Sequence, residues 1–165
     1  MFELADKHKT PMYSTSALRF AAEYASVEKQ GIETLISFGP GAYANYAIHQ
    51  VEPIVALMGT DVKQVMWIGT DKTPSLLIGY GDGRQATINL YGWECLFNMA
   101  LNYEEGASKM LKIESNFFGA FIENLVGFFE SGMPPVLRAE TITIATILEV
   151  GMRAANTPYQ WLQLK

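Results

Sequence analysis

The sequence predicts an α+β fold in which helices cover one face of a mostly antiparallel, open-faced sheet. Alternating apolar segments, separated by short turns, follow one another between residues 62 and 114. Two long segments with helical apolar spacing come after this block, and further helical segments come before it. Of the 165 residues, 49% are hydrophobic and 18% are charged, which is the composition of a packed globular domain rather than of a disordered chain.

Residues 1–59 alternate between helical and strand patterns. The predicted elements are the end of a helix at 1–9, a short strand at Met12 and Tyr13, a helix at 16–27, a strand at 34–38 and a helix at 43–58. Thr10-Pro11 stops the first helix, the turn Gly39-Pro40-Gly41 precedes the last one, and Gly59 closes it.

The middle of the chain consists of strand patterns. They span 62–68, 75–80, 85–91, 94–101 and 108–114. A Gly-Asp-Gly turn at 81–83 joins the second and third as a tight hairpin. Because each strand follows its predecessor after a short turn, the spacing predicts an antiparallel meander.

Two helical patterns complete the layer that covers the sheet. Ser115 is a suitable N-cap for a helix that ends before Gly132, and Pro134-Pro135 separates it from a helix at 139–155. Residues 159–164 then predict a short final strand.

Neither face of the predicted strands is polar throughout. In the segment 94–101, Cys95, Phe97 and Met99 alternate with a second set that also contains apolar residues. The helices suffice for one face of a sheet, so the other face needs a second partner. We therefore expect a homo-oligomer, a dimer or a tetramer, that forms through the open sheet face.

Charge and composition argue against several partners and locations. The net charge is −5 without a basic stripe, so a nucleic-acid partner is not expected. No run of about 18 apolar residues predicts a membrane span, and the N-terminus lacks the apolar core of a signal peptide. Cys95 is the only cysteine, which fits the reducing cytoplasm, and its apolar neighbours predict an inert core residue.

Sequence motifs for nucleotides and metals are missing. The chain contains no G-x-G-x-x-G after a strand and no P-loop, and His8, His49 and Cys95 are far apart in the sequence. We therefore expect this chain alone to bind no cofactor and no metal.

The helix at 43–58 contains the best candidate for chemistry. Asn45 and His49 are four residues apart and share one helix face, and Pro53 is expected to kink the helix beside His49. An imidazole held by Asn45 at such a point could act as a general acid or base. The alternative is a structural histidine with one satisfied hydrogen bond.

Arg19 is the second candidate. It follows Ser14 and Ser16 in a segment rich in hydroxyls, and its guanidinium could bind a carboxylate or phosphate. An ordinary surface arginine is the alternative. Trp67, Trp93 and Trp161 could line a sugar site or could simply pack in the core or on the sheet.

Three segments, in this order, resemble the C-terminal domain of the glucose–fructose oxidoreductase and inositol dehydrogenase family (Gfo/Idh/MocA). The stretch 41–59, GAYANYAIHQVEPIVALMG, resembles the family's first helix, with His49 at its histidine and Glu52 at its later acid. The segment SALRF at 16–20 resembles the family's interdomain arginine segment, and 116–157 resembles its C-terminal helices around a G-x-P-P break.

This resemblance implies a fold and an activity. The fold would be like the C-terminal domains of dihydrodipicolinate reductase and glyceraldehyde-phosphate dehydrogenase. Members use NAD or NADP, bound by an N-terminal Rossmann domain, to oxidise or reduce a carbinol of a sugar, inositol or related polyol. His49 would be catalytic with Asn45, and Arg19, Ser14 and Ser16 would line the substrate site.

The sequence departs from the family pattern in two respects. Residues 1–13 resemble the tail of the Rossmann domain, whose remainder is missing, and residues 14–165 would be the substrate-binding and oligomerisation domain, inactive alone. Asn45 stands at the family's catalytic Asp, and an amide cannot ionise. A non-catalytic, dimerising module that binds a ligand or a partner is therefore the alternative function.

Overall fold

A computed structural model describes residues 1–164, and its centre is a seven-stranded sheet. The strands are β1 Ile32–Pro40, β2 Val62–Trp67, β3 Ser75–Tyr80, β4 Gln85–Tyr91, β5 Asn98–Tyr103, β6 Ser108–Lys112 and β7 Trp161–Gln163. The helices are α1 Phe2–Lys7, a 3₁₀ turn Ala17–Phe20, α2 Ala22–Ala25, α3 Tyr43–Met58, α4 Phe117–Ser131 and α5 Arg138–Ala154.

The sheet is open and mostly antiparallel, as the sequence predicts, but it is not a meander. The strand order is β6-β5-β1-β4-β3-β2-β7. β1 lies between β4 and β5, parallel to the former and antiparallel to the latter. The expected β4–β5 pairing is therefore wrong. The short turn between these strands predicts that they are neighbours, but β1, from earlier in the chain, lies between them.

The secondary structure of residues 12–27 differs from the one that the sequence pattern predicts. The predicted helix at 16–27 is instead the 3₁₀ turn followed by α2, separated by Ala21 in an extended conformation. Met12 and Tyr13 pair with no strand within residues 1–164. This stretch is held by contacts with α3 and α4 rather than by its own helical hydrogen bonds.

Smaller differences concern the ends of elements. β5 begins at Asn98 rather than at residue 94, because residues 92–95 form a turn in which the Cys95 amide bonds to the Gly92 carbonyl. The cap of α4 is Asn116 rather than Ser115, and its side chain accepts from the Gly119 amide at 3.0 Å. α3 continues through Pro53 as one helix.

α3 and α5 cover one face of the sheet and bury the core against it. Gln50 in α3 is fully buried, and its amide group exchanges two hydrogen bonds with the backbone of Asn89 in β4, at 3.0 and 3.3 Å. These bonds fix the position of α3 on the sheet, and with it the position of every side chain on the outer part of that helix.

The other face of the sheet is open. One side chain from each strand forms a continuous row across it, as the registers of neighbouring strands show. The row is Met110, Ala100, Ile36, Thr87, Leu77, Met66 and Trp161. Ile36 is 49% exposed and Met110 is 69% exposed. We call this row with its neighbours the open face.

The contact between α3 and α5 can be tested at Gly151. A Cβ at Gly151 would overlap the Tyr43 hydroxyl and reach Leu76 Cδ2 at 3.0 Å, whereas a Cβ at exposed Gly127 in α4 meets nothing. We expect Gly151→Ala to lower the free energy of unfolding by about 1–3 kcal/mol. Gly127→Ala, the matched control, should raise it by about 0.5–1 kcal/mol. Urea unfolding measures both, and equal stabilisation by the two substitutions would contradict this packing.

Candidate functional site

His49 lies on the part of α3 that faces away from the sheet core. Its ring is half-buried, 5.1 Å from the ring of Tyr46 and 5.9 Å from that of Phe97, both edge-to-face. Tyr46 in turn contacts Trp93 at 4.9 Å, and Trp93 is 67% exposed. The loop 92–97 brings Trp93 and Phe97 to the helix. His49 therefore lies at the edge of an aromatic cluster that opens to solvent.

Two glycines at the end of β1 make room for this aromatic cluster. A Cβ at Gly39 would collide with the ring of Phe97, and one at Gly41 would collide with Tyr46. Gly41 also has φ +97°, a conformation that favours glycine. The glycines are therefore required for the two rings that flank His49.

Ser16, not Asn45, is the hydrogen-bond partner of His49. The Ser16 Oγ lies 2.7 Å from His49 Nδ1. Asn45 is exposed, and within residues 1–164 no hydrogen bond joins it to His49. The expected contact within the helix is thus wrong, because a serine from a distant segment reaches Nδ1 first. The general acid–base role expected for His49 stays a prediction.

Ser16 is held by two hydrogen bonds in addition to its contact with His49. Its side chain is buried, its Oγ accepts from the Leu18 amide at 3.2 Å, and its own amide donates to the carboxylate of Glu52. Ser16 therefore supports the imidazole, and its expected role in lining a substrate site stays a prediction. Its N-cap role in the 3₁₀ turn orients the same hydroxyl.

Glu52 is the site residue whose role the sequence did not predict. It is 1% exposed and accepts hydrogen bonds from the Thr15 hydroxyl and the Ser16 amide. One turn of α3 separates it from His49. The sequence did contain a signal for this role. Glu52 stands between Val51 and Pro53 in the apolar half of the helix, and a carboxylate buried there requires hydrogen-bond partners.

Arg19 binds carboxylates of the protein itself. Its guanidinium pairs with Glu140 in α5 and lies 3.7 Å from Glu52. Its side chain is 14% exposed. The expected role of Arg19 as a clamp for a ligand's carboxylate or phosphate stays a prediction, and in this structure both its neighbours are glutamates. Arg19 thereby connects the 3₁₀ turn to α3 and α5.

The remaining sequence candidates are dispersed. Ser14 is exposed, and its carbonyl accepts from Thr141 at 3.4 Å. Cys95 is a half-buried loop residue rather than a core residue, and burial raises the pKa of its thiol. Trp67 is buried in the core, whereas Trp161 belongs to the open face. Only Trp93 of the three tryptophans lies near His49.

Burial sets the charge states at this site. It lowers the pKa of His49, because desolvation disfavours the imidazolium. Burial also raises the pKa of Glu52, against the opposing effects of the Thr15 and Ser16 hydrogen bonds and of the Arg19 charge. The site therefore favours a neutral imidazole next to an anchored carboxyl group.

Two negative findings hold for the described part of the chain. Among residues 1–164, no group of three or more His, Cys, Asp or Glu side chains is arranged to hold a metal ion. No helix there is long and apolar enough to cross a bilayer.

Comparisons with known proteins identify the fold. No protein-family model and no curated protein matches the chain. A putative myo-inositol dehydrogenase from Sinorhizobium meliloti superimposes with a TM-score of 0.77 at 11% identity, over 99% of this chain and 68% of that one. The myo-inositol 2-dehydrogenase from Lactobacillus plantarum gives a TM-score of 0.76 at 12% identity, over 99% and 68%.

A third solved structure, the WlbA dehydrogenase from Chromobacterium violaceum in complex with NADH and UDP-GlcNAcA, gives a TM-score of 0.74 at 13% identity, over 99% of this chain and 66% of that one. The chain thus has the fold of the C-terminal part of the Gfo/Idh-type dehydrogenases, as the resemblance implies. At these identities the comparisons show the fold alone.

Proposed function

We propose that the chain is the substrate-binding and oligomerisation half of an NAD(P)-dependent oxidoreductase that acts on a sugar, inositol or related polyol. The fold supports this class, since its solved neighbours include a scyllo-inositol dehydrogenase with bound NAD(H) and scyllo-inositol. The single cysteine fits a cytoplasmic location. The observation that carries the proposal is the half-buried imidazole of His49 beside an exposed aromatic rim.

The geometry around His49 suits a small polar ligand with apolar ring faces. Binding sites of this kind combine aromatic walls with a few well-placed polar groups. Trp93 and Tyr46 supply the wall, and His49 Nε2 has no hydrogen-bond partner within the described residues. In the proposed role, His49 faces the reacting oxygen of the substrate and exchanges a hydrogen bond or a proton with it.

On this proposal the chain does not bind the nucleotide itself. Residues 39–44, which span the end of β1 and the start of α3, read Gly-Pro-Gly-Ala-Tyr-Ala, close to a dinucleotide-binding turn. The rings of Phe97 and Tyr46 occupy the space where a Cβ would lie on its two glycines, which argues against a pyrophosphate at that place. When bound, a nicotinamide would supply or accept hydride. The proposal assigns its binding to a preceding Rossmann domain.

Features near the N-terminus support this preceding domain. The segment 10–16 has no regular secondary structure, and beside it lies an apolar groove of about 750 Å³ between α1 and α4. The hydroxyl of Tyr13 is buried there without a hydrogen-bond partner among residues 1–164. Residues 1–13 would complete the Rossmann domain, and residues 14–165 would form the substrate domain.

A non-catalytic module that binds a ligand or partner is the second candidate. It is favoured by Asn45, which cannot ionise and makes no hydrogen bond to His49 within residues 1–164. It is also favoured by Arg19, whose guanidinium is paired with glutamates of the chain. On this alternative His49 would bind a ligand without turnover.

For assembly, we propose that the open face binds a second copy of the chain. The apolar row is flanked by Asn, Gln, Ser and Thr side chains. Its charged neighbours include Lys112 on the edge strand β6 and Glu33 at the bulge of β1, which accepts a hydrogen bond from Asn102. Although the chain has a net charge of −5, two copies of this face would meet without a like-charge cluster. An isologous dimer needs such a self-complementary surface.

The enzyme proposal is tested in the full-length protein that the proposal implies, with a nucleotide-binding domain before this chain. We expect His49→Ala to lower kcat/KM for a polyol or its ketone by about 10²–10⁴-fold, because it removes the group that faces the reacting oxygen. NADH affinity, measured by fluorescence, serves as the control and should not change. Unchanged turnover would leave only the binding role, and micromolar NADH binding by residues 1–165 alone would contradict the division into two domains.

The assembly proposal is tested by sedimentation. Ile36→Lys places a charge in the middle of the open face, and we expect it to convert the oligomer to a monomer. Met152→Lys, at a residue of α5 that is 56% exposed, is the matched control and should leave the mass unchanged. A monomeric wild-type chain, or equal masses for the wild type and Ile36→Lys, would overturn the proposed interface.

A further inference from the structure

This inference concerns the position of the proton on the imidazole of His49. We propose that Ser16 holds His49 as the neutral Nε2–H tautomer, so that the ring presents a hydrogen-bond donor, rather than a lone pair, to its ligand. The identity of that ligand as a polyol or its ketone rests on the proposed function, whereas the tautomer does not.

The hydrogen-bond inventory of the Ser16 hydroxyl supports this tautomer. A hydroxyl group has one hydrogen to donate and two lone pairs to accept with. The Leu18 amide occupies one lone pair at 3.2 Å. The other partner of the oxygen within residues 1–164 is His49 Nδ1 at 2.7 Å. Ser16 is 5% exposed, so solvent cannot replace that partner.

Glu52, the nearby acceptor, does not receive the hydroxyl hydrogen of Ser16. One carboxylate oxygen of Glu52 accepts from the Ser16 amide, and the other accepts from the Thr15 hydroxyl. If Nδ1 carried a proton, the Ser16 O–H would be left buried without an acceptor, which is unfavourable. The hydrogen of Ser16 Oγ is therefore donated to Nδ1.

An accepting Nδ1 places the single proton of the neutral ring on Nε2. The neighbouring rings of Tyr46 and Phe97 lie edge-to-face with the imidazole and offer it no strong acceptor. The Nε2–H is thus free to donate to a ligand. A carbonyl oxygen is the matching group, and a positioned N–H would stabilise negative charge that develops on it. The resting site is therefore arranged to bind the ketone form of the substrate.

Protonation of His49 would work against the same contacts. An imidazolium carries a proton on Nδ1 as well, so Nδ1 could no longer accept the hydrogen bond from the Ser16 hydroxyl. Burial adds to this cost by lowering the pKa of the ring. The titratable groups on the surrounding elements include Tyr43, Tyr46 and Glu52 on α3, Arg19 on the 3₁₀ turn, Arg138, Glu140, Glu149 and Arg153 on α5, and Glu94 and Cys95 on the loop 92–97.

Nitrogen-15 NMR of the intact chain tests the tautomer directly. The chain has only two histidines, so His8→Gln assigns the remaining imidazole signals to His49. At about pH 8, above the ordinary imidazole pKa of about 6.5, we expect a pyridine-type Nδ1 and a pyrrole-type Nε2. A pyrrole-type Nδ1 in the neutral ring would overturn the proposal.

Two variants test whether the hydroxyl group of Ser16 itself determines the tautomer of His49. Ser16→Ala removes the hydroxyl, so His49 should populate both tautomers, whereas Ser16→Thr keeps it and should preserve the wild-type spectrum. A wild-type spectrum in Ser16→Ala would contradict the role of Ser16. If that variant does not fold, the wild-type spectrum decides alone. No cofactor or turnover enters this measurement, so its failure is distinct from failure of the proposed dehydrogenase activity.

Discussion

The buried carboxyl group of Glu52 is the constraint on which the site depends. A glutamate in the interior is stable only with hydrogen-bond donors and a nearby cation. Thr15, Ser16 and Arg19 supply them from a segment that has no regular sheet or long helix of its own. The need to satisfy Glu52 therefore determines where this segment crosses α3. That crossing places the Ser16 hydroxyl at His49 Nδ1.

The same crossing connects the site to the fold. Arg19 extends from the 3₁₀ turn to Glu140, so that α3, α5 and the segment 15–19 share one network of charges and hydrogen bonds. On the other side of His49, the loop 92–97 is brought in by β4 and β5, which β1 separates. His49 is thus held at Nδ1 by the Ser16 hydroxyl and bordered by the rings of Tyr46 and Phe97.

The sequence predicted those features that depend on local patterns. The bounds of α3, β3 and β4 agree with the structure, because caps, turns and apolar periods act over a few residues. His49 became a candidate because it is a rare residue on a patterned helix, and its role stays a prediction. Its partner was not predicted, since Asn45 is a neighbour in the sequence whereas Ser16 is a neighbour only in the fold. The insertion of β1 between β4 and β5 escaped prediction for the same reason.

Hydrogen exchange at the Ser16 amide tests the central claim most directly. This amide belongs to a segment outside the sheet, where amides normally exchange quickly by local opening. If it donates to the buried carboxyl group of Glu52, its exchange should be as slow as that of amides in the core strands. The amide of exposed Ser14 should exchange quickly. Equal, fast exchange at Ser14 and Ser16 would show that Glu52 does not fix this segment. It would contradict the claim that Glu52 positions Ser16 at His49.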